Sequence, residues 1–351
     1  MDPKTIKGEV GSLAAHRKGS GPASWAESSW HEADVKKYPA SISDFTLTHE
    51  NISKFCLQGH TPSLPFLGKE DNVIAIGSCF AAELRHFLND VGLSSDSFWI
   101  PSGLNNTFSL LDFFSWVTTG HQTSKGFGYS KDDSGTLGDW EPKFERSSYR
   151  KALENANCFV FTLGLAEVWE DTLTSKVFWR GVPANIFDEK RHHFRLSTVE
   201  ENVTNIVAIT EFIRKLNPKA PIIFTLSPVP LKATFSEVPC ISADCVSKST
   251  LRLALHQVIS QKLTDVYYWP SFEIVKWVGC HLPFPVYGTD DSVVRHVSRY
   301  VVTKILYSFV ATYYGENLAK EIFDNHLMSL PSREGLAGEP PLIYTGQIVT
   351  A

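Results

Sequence analysis

Apolar runs of strand length recur along most of the chain. They are rich in β-branched and aromatic residues and lie at residues 73–76, 98–100, 158–163, 221–226 and 265–269. Each run is followed by glycine, proline or serine, which commonly end strands. Continuous apolar runs of this kind are typical of strands that are buried on both faces of a parallel sheet.

Between these runs the apolar residues recur at helical intervals, in segments at residues 84–91, 108–117, 149–156, 199–216, 247–263 and 300–314. Ser197 and Glu200 have the spacing of a capping box ahead of one of these helices. The alternation of strand and helix predicts an α/β fold with three layers, in which helices cover both faces of a doubly wound, mostly parallel sheet. Functional groups in such sheets gather past the carboxyl ends of the strands.

The domain organisation follows from which parts of the chain show the alternation of strand and helix. Residues 1–40 are polar and predict a flexible arm, and residues 329–351 turn to proline, glycine and glutamate and predict a poorly ordered tail. No linker interrupts residues 41–328, which predict a single domain with insertions near 118–148 and 170–196.

Composition narrows the classes of function. A hydrophobic content of 43% with 20% charged residues indicates an ordinary globular protein, and a net charge of −5 argues against a nucleic-acid reader. The six cysteines form no CxxC pair, so no metal site is expected, and their spread favours a reducing compartment. No run of eighteen apolar residues and no signal peptide stand out, which predicts a cytoplasmic protein without a membrane span.

The most informative stretch is residues 72–84, NVIAIGSCFAAEL, which predicts a strand, a tight turn at Gly77 and a helix. Ser78 and Cys79 would then lie at the carboxyl end of a strand and beside the first N–H groups of a helix. That position stabilises a thiolate and can help to hold an oxyanion, so it suits a nucleophile. The alternative is that Gly77 makes the turn and Cys79 is a small buried side chain.

The five residues GSCFA, at 77–81, are the signature of the GSCFA family. Further blocks of similarity lie at residues 102–113, 161–169, 224–231 and 267–275 and around His296. The chain is therefore identified as a member of that family, over roughly residues 70–310, and it resembles the related SGNH or GDSL hydrolases. The resemblance implies an SGNH-hydrolase-like, flavodoxin-like fold with loop insertions.

The same resemblance implies catalytic residues. Cys79 aligns with the nucleophilic serine of the hydrolases' Gly-Asp-Ser turn, although a shift of one residue gives the role to Ser78. His296, ahead of the closing helix, takes the place of the catalytic base.

The carboxylate that would orient this histidine is less well defined. The hydrolases have an aspartate three residues before the histidine, and Val293 stands there in this chain. The candidates are Asp291 with its neighbour Asp290, and Glu273, or else the site works as a Cys–His dyad.

A third set of residues is expected to bind the oxyanion or the substrate. The hydrolases use an asparagine at a position that is Ala166 here, so Asn106 is the candidate donor, with a helix N-cap as an equally weighted alternative. The other candidates lie in the glycine turns and just past the strand ends: Gly77, Gly103, Gly164, Glu167, Trp169 and Ser227.

These residues predict an acyl-transfer enzyme, either an esterase or an O-acyltransferase, that acts on an ester or thioester. The family resemblance, together with the predicted cytoplasmic location, implies a carbohydrate or a surface-polysaccharide precursor as the substrate. No cofactor is required, although an acyl donor such as acetyl-CoA would suit a transferase. The alternative is a non-catalytic protein that binds a carbohydrate or a nucleotide conjugate on a degenerate SGNH scaffold, which the substitutions at Ala166 and Val293 favour.

Overall fold

The structure is a computed structural model that describes residues 36–95, 104–121, 126–131, 137–290, 293–329 and 342–344. The strand predicted at 98–100 lies outside the described residues, as do Gly103 and Asp291 and most of the predicted arm and tail. The chain divides into two compact units, residues 1–44 and 45–351. In the first unit, the Asp44 carboxylate accepts hydrogen bonds from the N–H groups of Ala40 and Ser41, each at 3.0 Å.

The strands of the second unit are, in chain order, β1 (Val73–Gly77), β2 (Tyr129–Lys131), β3 (Leu137–Asp139), β4 (Cys158–Leu163), β5 (Glu167–Asp171), β6 (Lys176–Val177), β7 (His192–Leu196), β8 (Ile222–Leu226), β9 (Val266–Trp269), β10 (Leu327–Ser329) and β11 (Leu342–Tyr344). Its α-helices are α1 (His49–Ile52), α2 (Cys79–Asp90), α3 (Thr107–Thr119), α4 (Arg146–Glu154), α5 (Val199–Leu216), α6 (Cys240–Ser260), α7 (Ser271–Glu273), α8 (Arg299–Tyr313) and α9 (Glu316–His326).

A parallel sheet forms the centre of this unit, and its described strands follow the order β1-β4-β8-β9. The pairing is in register from one strand to the next, with Val73 opposite Cys158, Phe159 opposite Ile222, and Ile222 in turn opposite Val266. All four strands come from the apolar runs in the sequence. The predicted α/β fold with a parallel central sheet is confirmed.

Alternate residues of each strand face different helical layers. One layer contains α2 and α8, and the other contains α3, α5 and α6. The first layer packs against the side chains of Val73, Ala75, Cys158 and Val160. The second layer packs against those of Ile74, Ile76, Phe159 and Phe161. The fold therefore has three layers with a separate apolar core on each face of the sheet.

Two sequence predictions need correction. The capping box of α5 is formed by Thr198 and Glu201. The Thr198 hydroxyl accepts from the N–H of Glu201 at 3.1 Å, and the Glu201 carboxylate accepts from the N–H of Thr198 at 2.7 Å. It is not Ser197 with Glu200, because Ser197 is buried and donates its hydroxyl to the carbonyl of Ala166 at 2.7 Å.

Helix α6 begins at Cys240, seven residues earlier than its predicted start at residue 247. The proline, serine and cysteine residues ahead of residue 247 are typical of a connecting loop. Pro239 instead precedes the first turn of the helix, where a missing N–H group is tolerated. Ser247 and Lys248 therefore lie well inside the helix, and both are buried.

The predicted insertions contain short antiparallel sheets. Strands β2 and β3 form a hairpin between α3 and α4, and β5 pairs with both β6 and β7. Near the end of the chain, β10 pairs with β11. Within the described residues, no helix combines the length and the apolar character that a membrane span requires.

Candidate active site

Gly77 ends β1 in a conformation that few other residues adopt. Its φ is +132°, and a Cβ atom at this position would lie 2.1 Å from the carbonyl oxygen of Thr162 on β4. The N–H of Ser78 donates to that same oxygen at 3.0 Å. Glycine thus allows β1 to turn tightly against β4, which places Ser78 and Cys79 at the carboxyl end of the sheet.

Ser78 and Cys79 have different roles in this turn. Ser78 is the N-cap of α2, and its hydroxyl accepts a hydrogen bond from the N–H of Phe80 at 3.4 Å. Cys79 is the first helical residue, is partly exposed, and lines a cavity beside the helix N-terminus. The structure therefore gives the cavity-facing position to the thiol rather than to the hydroxyl.

The cavity brings together Cys79 and His296, which are more than two hundred residues apart in the sequence. Its volume is about 50 Å³. Besides Cys79 and His296, the polar lining residues are Glu83, Asp290 and Arg299. The remaining wall is apolar and consists of Phe80, Pro228, Val229, Val275, Val297, Val302 and Ile305.

His296 lies in a folded loop just before α8. Its carbonyl accepts from the N–H of Gly288 at 2.9 Å, and its own N–H donates to the carbonyl of Val293 at 2.9 Å. Val293, at the position of the hydrolases' aspartate, thus contributes its carbonyl oxygen to this loop. Asp290 is near the start of the same loop, and its carboxylate accepts from the N–H of Arg299 at 2.8 Å.

Glu83 is a cavity carboxylate that sequence reasoning missed. It lies one helical turn after Cys79, and its Oε2 accepts from Nη1 of Arg299 at 2.7 Å. Only 14% of the Glu83 side chain and 7% of the Arg299 side chain are exposed, so the pair is largely desolvated. Its i to i+4 spacing from Cys79 was the available signal.

Glu273 bonds to groups other than His296. Its carboxylate accepts from Nε of Arg252 on α6 and from the hydroxyl of Tyr268 on β9, the latter at 2.7 Å. The expected role of Glu273 as partner of the histidine therefore finds no support in its contacts. The reason is that Arg252 of α6 and Tyr268 of β9 bind the Glu273 carboxylate.

A second group of predicted residues meets at the turn after β4. A Cβ atom at Gly164 would lie 3.7 Å from Cβ of Ser78, 3.8 Å from that of Ser227 and 3.9 Å from that of Asn105. The carbonyl of Asn105 accepts from the N–H groups of Gly164 and Leu165 at 2.8 and 3.2 Å. Ser78, Gly164 and Ser227 are thus brought together, with Asn105 as an additional member.

The two neighbouring asparagines differ in how their side chains are used. Asn106 is buried and caps α3: its Oδ1 accepts from the N–H of Ser109 at 2.9 Å, and its Nδ2 donates to the carbonyl of Trp179 at 3.0 Å. The side-chain oxygen of Asn105 is buried and has no hydrogen-bond partner among the described residues. Of the two side chains, Asn106 is therefore used as a helix cap, and Asn105 has an unused acceptor oxygen near Ser78 and Gly164.

Glu167 and Trp169 lie on β5, which leads away from this turn. Glu167 accepts from the Thr234 hydroxyl at 2.7 Å, and burial raises the pKa of its carboxyl. The Trp169 ring contacts three phenylalanine rings at centroid distances of 5.0 to 5.6 Å, those of Phe187, Phe194 and Phe235. These two residues therefore border a partly exposed aromatic surface.

Charged groups around Cys79 act in both directions. Burial raises the pKa of the thiol, and Glu83 raises it further, whereas its own N–H group and the positive charges of Arg295 and Lys248 lower it. Lys248, which sequence reasoning also missed, is buried and donates from Nζ to the carbonyl of Gly164 at 2.7 Å. The available signal was that Lys248 stands three residues before Leu251 and therefore on the same, buried face of α6.

Comparisons with known proteins add the following. No curated protein matches the chain. Similar solved structures include a carbohydrate esterase family 3 from Talaromyces cellulolyticus, with 14% identity, 72% of this chain and 99% of that chain covered, and a TM-score of 0.31. A Corynascus thermopiles (Myceliophthora fergusii) carbohydrate esterase family 2 enzyme with a carbohydrate binding domain has 16% identity, covers 75% and 68% of the two chains, and has a TM-score of 0.32. The Clostridium thermocellum family 3 carbohydrate esterase has 12% identity and a TM-score of 0.29, with 72% of this chain and 99% of that chain covered.

The family comparison covers most of the α/β domain. The GSCFA family model matches residues 72–309, from the first residue before β1 to the middle of α8. This span contains the Gly77 turn, the Gly164 turn and every residue that lines the cavity, His296 included. Because the match extends over more than half of the sequence, the chain belongs to the GSCFA family.

Proposed function

We propose that the protein is an acyl-transfer enzyme, an esterase or O-acyltransferase, that uses Cys79 as nucleophile and His296 as base on an ester or thioester. The observation that carries this proposal is the single cavity that Cys79 and His296 line at the N-terminus of α2. A nucleophile, a base and a positive helix end in one cavity are the groups that acyl transfer requires. A carbohydrate or a surface-polysaccharide precursor is the proposed acyl carrier.

In the first half of the proposed reaction, Sγ of Cys79 attacks the acyl carbonyl carbon and its proton passes to His296. The tetrahedral oxyanion is held by the N–H of Cys79 and, as the proposed side-chain donor, by Nδ2 of Asn105. When the carbon–oxygen bond breaks, the leaving alcohol takes the proton from His296, and the acyl group remains on Cys79 as a thioester. In the second half, water or a sugar hydroxyl gives its proton to His296 and attacks the thioester, and Cys79 recovers its proton.

The cavity argues for a short acyl group. Its volume of about 50 Å³ corresponds to a few water-sized spheres, and Val275, Val302 and Ile305 make much of its wall apolar. An acetyl group fits such a space, whereas a sugar ring requires the open side. Under this proposal an acetylated sugar or acetyl-CoA supplies the acyl group as a substrate, and the chemistry needs no resident cofactor.

Glu83 and Asp290 are the carboxylates that line the cavity in the described part of the chain. Asp290 accepts from the backbone of Arg299, and Glu83 pairs with the Arg299 side chain. We assign the role of the missing aspartate to Glu83, because it projects from the same helix as Cys79 and is held in one position by its ion pair.

A second candidate function is binding without catalysis. The observation in its favour is that burial raises the pKa of Cys79, which lowers the fraction of thiolate at neutral pH. A carbohydrate or a nucleotide conjugate would then bind at the same edge of the sheet, and Cys79 would be a structural thiol.

Hydrolysis of aryl acetates and acetyl thioesters separates the two functions. The panel comprises the wild type, Cys79→Ala, Ser78→Ala and His296→Ala, with Cys245→Ala as a matched control because Cys245 is an exposed thiol on α6. We expect turnover to be lost in Cys79→Ala and His296→Ala, partly kept in Ser78→Ala and unchanged in Cys245→Ala. Background rates in all five folded proteins would reject the enzyme and favour the binding protein.

A further inference from the structure

Lys248 is a buried lysine on α6, next to the candidate site. Its exposure is 2%, and its Nζ donates to the carbonyl of Gly164 at 2.7 Å. None of the ion pairs formed by the described residues includes this ammonium group. Buried lysines are rare and are usually paired, because removing an ammonium from water costs several kcal/mol. A buried lysine that bonds only to a carbonyl therefore calls for a function.

The contacts of Lys248 point to the turn after β4. Gly164 packs against Ser78, and Lys248 holds its carbonyl. The preceding residue, Ser247, accepts from the N–H of Ala166 at 2.9 Å, so consecutive residues of α6 fix both sides of the same turn. One of these two anchors is neutral and the other is charged, which allows their effects to be separated.

Three charged or titratable groups face Lys248. They are Asp244 one turn earlier on α6, Lys276 in the turn after α7, and Cys79 at the start of α2. Burial, together with the positive charge of Lys276, lowers the pKa of Lys248 to about 8, while Asp244 and Cys79 act to raise it. The side chain is therefore mostly protonated at pH 7.

The groups facing Cys79 come from α2, α6, α8, the loop before α8 and the segment after β6. Glu83 is on its own helix, and its charge is compensated by Arg299 of α8. Arg295 precedes His296 and donates from Nη1 to the carbonyl of Pro230 at 2.9 Å. His296 and Asp290 lie on the cavity wall, and Arg180, after β6, interacts electrostatically with the thiol. With Glu83 paired, Lys248 and Arg295 leave an excess of positive charge around the thiol.

We propose that Lys248 is a positioning residue that fixes the Gly164 turn and whose positive charge stabilises negative charge at Cys79, on the thiolate and on the oxyanion formed there. This inference rests on the proposed function for the oxyanion, but the effect on the thiolate does not require turnover. It assigns a function to a buried charge that the acyl-transfer steps themselves do not use.

The test is the pH dependence of Cys79 alkylation by iodoacetamide, followed by mass spectrometry of the peptide that contains Cys79. The variants are Lys248→Met and Lys248→Gln, with Ser247→Ala as the neutral control on the same turn. Lys248→Gln retains a hydrogen-bond donor for Gly164, so a neutral variant remains available if methionine disrupts the turn. Thermal unfolding confirms that each protein is folded.

We expect both Lys248 variants to alkylate severalfold more slowly at pH 7, with the difference from wild type disappearing above about pH 8, where wild-type Lys248 loses its proton. Ser247→Ala should leave the profile in place. An unchanged profile in the Lys248 variants, an equal shift in Ser247→Ala, or a wild-type Cys79 that resists alkylation at every pH would overturn the inference. A shifted profile in a protein without ester turnover would keep the electrostatic effect and reject the proposed enzyme.

Discussion

Gly77 on β1 lies so close to Thr162 on β4 that a Cβ atom would come within 2.1 Å of the Thr162 carbonyl oxygen. The obstacle is backbone in the middle of the sheet, so it cannot rotate away as a side chain would. The strands would have to separate, and the turn that holds Cys79 would move with them.

We therefore expect Gly77→Ala to destabilise the protein by at least about 4 kcal/mol, enough to abolish folding in many domains. Gly92 is the matched control, because it also has a positive φ, of +76°, but a Cβ atom added there would have no neighbour within 4 Å. Gly92→Ala should cost about 1 kcal/mol. Urea unfolding and the yield of soluble protein measure the stability of both variants. Similar losses of unfolding free energy in the two variants would contradict the steric argument.

Asn105 and Asn106 should separate catalysis from stability. Asn105→Ala removes Nδ2, the proposed side-chain donor to the oxyanion, and we expect a loss of about a hundredfold in kcat on an acetyl ester with little change in stability. Asn106→Ala removes the N-cap of α3 and should cost about 1 to 2 kcal/mol of unfolding free energy. Kinetics and thermal unfolding of both variants check this, and an undiminished kcat in Asn105→Ala would remove it from the oxyanion site.

Glu83→Gln and Asp290→Asn test which carboxylate supports His296. Glu83→Gln removes the carboxylate charge that pairs with the nearly buried Arg299 side chain, and we expect kcat to fall more than about tenfold with a changed pH–rate profile. Asp290→Asn keeps an oxygen that can accept from the Arg299 N–H and should behave nearly as wild type. The reverse ranking of the two variants would assign the role to Asp290.

The cavity predicts selectivity for acyl length. Ile305 is fully buried and lines the cavity, so Ile305→Ala should raise the activity on butyryl esters relative to acetyl esters. Leu306 is equally buried but is absent from the cavity wall. Leu306→Ala should lower the unfolding free energy by roughly 2 to 5 kcal/mol, as much as Ile305→Ala does, without a change in acyl preference. The ratio of kcat/KM for the two esters is the measurement, and an equal ratio in all three proteins would place the acyl group elsewhere.

Lys248 predicts how stability depends on pH. Burial lowers its pKa in the folded protein from 10.5 to about 8, so between these values the unfolded chain binds the proton that the folded chain has lost. Stability therefore rises with pH in this window. Relative to Lys248→Met, the wild type should gain about 2 kcal/mol of unfolding free energy between pH 7 and pH 10. Urea titrations of both proteins measure the difference, in which the ionisation of tyrosines cancels, and a constant difference would show that Lys248 does not titrate in this range.

The sequence was sufficient for the sheet because its strands are buried on both faces. Continuous apolar runs such as Cys158–Leu163 allow few alternatives to a central strand. The Gly77 turn and the family resemblance together led to Cys79 and His296. Cys79 begins α2, and His296 lies in the loop just before α8, so both follow from the order of the elements along the chain.

The remainder depended on packing that no local pattern reveals. Asn105 and Asn106 are adjacent, yet only the side chain of Asn106 can reach the first turn of α3. Glu273 follows a strand end as predicted, but Arg252 and Tyr268 take its carboxylate. Lys248 had the appearance of an ordinary polar residue on a helix until that helix was known to begin at Cys240 and to bury this face.

The distance along the chain between Cys79 and His296 has a consequence for synthesis. The Gly77 turn can form once β4 has emerged from the ribosome, because the carbonyl of Thr162 on β4 accepts the hydrogen bond from the N–H of Ser78. The imidazole and α8, which close the cavity, follow more than a hundred residues later. A nascent chain on the ribosome thus carries the thiol before it carries the groups that would activate it. Under the proposed function, chemistry at Cys79 therefore begins only when nearly the whole domain has been translated and its last long-range contacts have formed.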